Sequence, residues 1–81
     1  MQEFRELLKK KLAERKMSII MLASEIGARD MFIREVMRGK RISRPLVLKI
    51  ADYFQDPNIL HIYEKELQER RSKKSNSKKE V

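Results

Sequence analysis

The sequence predicts an all-α chain of five short helices without a sheet, followed by a basic tail. Three observations carry this. Apolar residues recur at spacings of three and four, and no stretch alternates like a strand for long. Gly27 and Gly39 both stand at the end of an apolar run, where a chain leaving a helix turns left-handed. Ser18, Ser43 and the pair Asp56-Pro57 stand just ahead of three runs, as helix-start residues do.

Taken in order, Phe4, Leu7, Leu8 and Leu12 make one face of a first helix over residues 3–15. Ser18 caps a second helix over 19–26. A Glu three residues on would complete a capping box, but Met21 stands there. Met21, Leu22, Ala23 and Ile26 are expected to face inward, and Gly27 ends the run. The third helix spans 30–38 with Ile33, Val36 and Met37 as its buried stripe, and Gly39 closes it. Ser43 caps a fourth helix over 44–55, where Pro45 in the first turn loses no needed amide bond. Its apolar set is Leu46, Val47, Leu48, Ile50, Ala51 and Phe54. Asp56-Pro57 opens a fifth helix over 57–70, carrying Ile59, Leu60, Ile62, Tyr63 and Leu67 and fraying near Arg71. From Ser72 no apolar residue occurs before Val81. The expected division is therefore a domain over 1–71 and a disordered basic tail over 72–81.

The bulk numbers narrow the function. Eighty-one residues make one small domain, and a chain of this size buries only about 60% of its unfolded surface. There is no cysteine, hence neither disulfides nor thiolate metal sites. No apolar run approaches the roughly 20 residues of a membrane span, and the N-terminus carries no secretory pattern. A cytoplasmic protein without a membrane role is expected. Twenty Lys and Arg against twelve Asp and Glu leave +8, which favours polyanionic partners. Residues 29–44 hold six cations and two carboxylates, and residues 69–81 hold the same numbers. One short internal segment and the tail thus carry the excess.

Catalysis is not expected. His61 is the single histidine and sits among aliphatics, so with no cysteine it makes no metal site. No Ser/His/Asp constellation or glycine-rich phosphate loop is present, and no cofactor is implied.

Four segments in register, "LKKKLAERKMS", "MLASEIGA", "IREVMRGKR" and "LVLKIADYF", resemble the lambda-repressor/Cro-type (XRE) helix–turn–helix family over residues 4–63. Ala23, Gly27, Ile33 and Val36 carry the resemblance best: a small residue at the helix crossing, the turn, and two aliphatics beneath it. The resemblance implies a five-helix DNA-binding domain whose third helix enters the major groove. Carried onto this chain, Arg29, Asp30, Met31, Phe32, Arg34 and Glu35 face the bases. Arg38, Lys40, Arg41 and Arg44 lie near flanking phosphates. Two departures stand out. Ile19 replaces the Gln that often opens the second helix, and Arg29 replaces the usual Ser or Thr cap of the third. Asp30 can supply that cap instead.

Asp30 and Glu35 are unusual groove residues, since a carboxylate accepts there only from cytosine N4. Their alternative role is helix-end charge, Asp30 at the positive N-terminus and Glu35 paired with Arg38 or Lys40. Two functions follow. The first is a small sequence-specific transcriptional regulator of the repressor or Cro kind, bacterial or phage, binding double-stranded DNA. A homodimer is expected, with Ile59, Ile62, Tyr63 and Leu67 as its interface unless they finish the monomer core. The second is a protein-interaction module using an apolar face around Ile19, Ile20, Met31 and Phe32.

Overall fold

The computed structural model describes the backbone of residues 2–80 and the side chains of residues 2–70. The chain forms α1 (Gln2–Glu14), α2 (Ile19–Ile26), α3 (Asp30–Met37), α4 (Arg44–Phe54) and α5 (Asn58–Glu80). No strand occurs among the described residues. The first four helices lie within one residue of the expected bounds. The tail expected to be disordered, 72–81, lies outside the residues whose side chains are described.

Local chemistry places most of the helix ends. The Ser18 hydroxyl accepts from the Met21 amide at 3.1 Å, and the Ser43 hydroxyl accepts from the Leu46 amide at 3.3 Å. Asp56 accepts from the Asn58 amide at 3.1 Å and starts α5. Gly27 adopts φ 70°, and its amide donates to the Ala23 carbonyl. A Cβ at Gly27 would meet nothing within 4 Å, so conformation rather than space calls for glycine there. Two turns use left-handed residues that are not glycine, Lys16 (φ 55°) and Gln55 (φ 52°).

One core joins all five helices, with α5 packed against both α1 and α4. Phe4, Leu8, Leu22, Ile33, Val36, Val47, Ile50, Ile59 and Tyr63 are fully buried. The Phe4 and Tyr63 rings meet at 4.9 Å between centroids. Polar contacts pin the ends together. Glu66 of α5 accepts from the amides of Glu3 (3.1 Å) and Phe4 (2.6 Å), capping α1 from the far side of the sequence. Lys11 Nζ lies 2.9 Å from Asp56 Oδ2, tying α1 to the α4–α5 corner. That contact holds the Asp56 carboxyl below its ordinary value against the opposing effect of desolvation, and the Asn58 amide adds to the lowering.

Three expectations need correction. Met21 is exposed, because the inward stripe of α2 is Leu22 and Ala23 and the position before them falls off that face. Leu48 is exposed for a similar reason: six apolar residues of α4 cannot share one face, and Leu48 points away from the other five. The dimer residues are the third. Ile59, Tyr63 and Leu67 are buried in the chain's own core, and Ile62 packs half-buried against it. They stabilise the monomer by covering α1 and α4, so no second chain can reach Ile59, Tyr63 or Leu67.

Candidate nucleic-acid interface

Helices α2 and α3 meet across the Gly27 turn, and α3 sets Ile33, Val36 and Met37 into the core. Helical spacing then puts Met31, Glu35 and Arg38 on the opposite ridge, four and three residues apart. Met31 and Arg38 are exposed, while Asp30, Phe32, Arg34 and Glu35 are half-buried beside them. Arg29 is the N-cap residue and gives no side-chain cap. Asp30 does not replace it, being already the first residue of the helix.

Both acids of α3 have arginine partners. Asp30 Oδ2 lies 3.5 Å from Arg34 Nε one turn on. Glu35 Oε1 lies 3.4 Å from Arg41 Nε, whereas Arg38 or Lys40 had been the expected partners. The Arg41 guanidinium also sits over the Phe32 ring, 5.2 Å from its centroid. Neither acid is therefore an isolated charge.

Beside α3, Arg5 and Lys9 of α1 join Arg34 and Arg38 around a cleft of about 240 Å³. Ile19 and Met37 complete its walls. No carboxylate among the described residues lines it. Among the described residues, no acid lies in ion-pair range of Arg5, Lys9, Arg29, Arg38 or Lys40. Arg5 and Lys9 were absent from the sequence reading. Their spacing of four puts them on one face of α1, but nothing linear tells which helix that face meets.

Past α3, Gly39 (φ 77°) leads into the segment carrying Lys40 and Arg41. This segment is anchored at both ends. The Arg70 guanidinium donates to the Gly39 carbonyl at 2.7 Å, and the Ser43 amide donates to the Tyr63 hydroxyl at 3.1 Å. Arg44, expected near phosphates, forms an ion pair with Glu64 of α5, so part of its charge is spent inside the chain.

The apolar residues of the protein-interaction reading are divided. Ile20 and Met31 are each 62% exposed. Ile19 lines the basic cleft on one flank of α3. Phe32 lines a different groove on the other flank, with Ala28, Pro45 and Leu46. Among the described residues there is no group of three metal-binding side chains, and no helix is long and apolar enough to cross a membrane. Compared with family models, curated proteins and solved structures, the chain matches none.

Proposed function

We propose that this chain is a small, non-catalytic regulator that binds double-stranded DNA through α3, working in the cytoplasm. The observation that carries the reading is the set of cations around α3 that have no carboxylate partner among the described residues. Arg5, Lys9 and Arg38 border the cleft on its flank, Arg29 stands at its start and Lys40 just past its end. A duplex presents phosphates on both sides of the major groove, and cations flanking a groove-sized helix suit that spacing. The resemblance to the lambda-repressor/Cro-type family supports the same assignment. On this reading the cleft takes backbone phosphate and the exposed Met31 meets base edges.

A single helix reads few base pairs, so useful specificity calls for a dimer on a two-fold site. With Ile59, Tyr63 and Leu67 committed to the core, exposed Leu48 with its neighbours Pro57 and Leu60 offers one apolar surface for that contact. The test is selection of random duplexes by the purified protein near physiological salt. Enrichment of a half-site, repeated about one helical turn away, supports the reading. Equal affinity for every duplex sinks it and favours the protein-interaction reading, for which Ile20 and Met31 are the available apolar contacts.

A further inference from the structure

The cations of this surface fall into two kinds, and the difference has a chemical meaning. Arg5, Lys9, Arg29, Arg38 and Lys40 have no carboxylate partner among the described residues. Their full charge and their long free stems suit phosphate, which rewards charge and tolerates geometry. Arg41 is different. Glu35 lies 3.4 Å from its Nε, and the Phe32 ring underlies the guanidinium at 5.2 Å. Both partners belong to α3, so a residue from beyond the helix is folded back over its groove-facing side.

Its backbone is held as well. The Lys40 amide donates to the Glu35 carbonyl at 2.9 Å. Gly39 and Ser43 on either side are fastened to α5 through Arg70 and Tyr63. The side chain remains 57% exposed. A guanidinium in this state has its charge offset by the adjacent carboxylate, which weakens it as a phosphate anchor. What it keeps is direction. With Glu35 at Nε, both Nη nitrogens stay available as a fork, and fixing the plane beforehand lowers the entropy lost on binding. The neutral acceptor pair that matches such a fork in the major groove is guanine O6 and N7.

We infer that Arg41 is a specificity-determining residue that reads a guanine, with Glu35 and Phe32 positioning it. The inference rests on the DNA-binding reading above and adds to it a base identity and a residue outside the helix. Glu35 then buttresses the arginine instead of accepting from cytosine.

The experiment compares duplex selection and binding isotherms for the wild-type chain, Arg41→Lys, Glu35→Gln and Arg38→Ala. Arg41→Lys keeps the charge and removes the fork. It should cut the preference for one G·C pair by about tenfold to a hundredfold, while affinity for scrambled duplexes stays within about twofold. Glu35→Gln should weaken the preference at that same pair, and Arg38→Ala should lower affinity for all duplexes with the preference intact. Circular dichroism of each variant confirms the fold, and Arg41 is exposed enough that no core contact is at stake. If Arg41→Lys leaves the preferred sequence unchanged, the inference is overturned. It is overturned equally if Glu35→Gln alters a different base pair, because Glu35 would then touch bases itself. A wild-type chain that enriches no motif would instead remove the DNA-binding reading, a result distinct from either.

Discussion

Replacing Tyr63 by Phe isolates one hydrogen bond between α5 and the start of α4. The ring is fully buried and would keep its contact with Phe4 at 4.9 Å. Only the hydroxyl that accepts from the Ser43 amide at 3.1 Å is lost. Ser43 is the N-cap of α4, so its amide has no partner within that helix. A typical hydrogen bond contributes about 0.5–1.5 kcal/mol, and a buried donor left unsatisfied costs about 1–3 kcal/mol. This amide is only partly buried, so water recovers some of the loss, and we expect about 1–2 kcal/mol. For a domain of this size that lowers Tm by about 5–15 °C. Urea unfolding followed by circular dichroism should show a lower midpoint with the slope unchanged. Amide exchange at Ser43 should accelerate in parallel. A stability within about 0.3 kcal/mol of wild type, with Ser43 still protected, would refute the claim that this bond fastens the segment to α5.

Leu22→Ala and Ile33→Ala remove fully buried side chains from the α2–α3 pair, and each should cost about 2–5 kcal/mol in chemical denaturation. Asp56 has its pKa depressed by Lys11, so it adds stability above the unfolded-state value and loses it as pH falls through the folded one. The stability difference between wild type and Lys11→Met should therefore be full near neutrality and shrink below about pH 4, as urea midpoints across that range would record. Arg38→Ala removes a cation of the cleft, and the logarithmic salt slope of duplex binding should fall by at most about 0.9. A slope unchanged in that variant would place Arg38 away from phosphate.

How far the sequence could be read depended on the range of each interaction. Ser18, Gly27, Ser43 and Asp56 act within three or four residues, and their caps and turns lay where their chemistry put them. The end of α4 at Gln55 was harder, because a left-handed residue other than glycine leaves little trace in composition. Pairings across the fold left none. Glu35 with Arg41, Arg5 and Lys9 beside α3, and Glu66 on the amides of α1 each require knowing which faces meet. The misassigned dimer contacts have the same origin. An apolar stripe such as Ile59, Tyr63 and Leu67 reads identically whether its partner is α1 and α4 or another copy of the chain.

The Glu66 cap bears on how the chain is made. It joins residues 62 and 63 positions apart in the sequence, so α1 is synthesised before α5 and has only water for its leading amides until α5 follows. The aromatic contact of Phe4 with Tyr63 waits for the same event. Domains usually fold as units once their sequence is out, and this one offers α1 neither its cap nor its aromatic neighbour before then. A nascent chain stalled ahead of Tyr63 would present Phe4 and Leu8 to chaperones instead of to a core. Release of the last helix is therefore the step that closes the first.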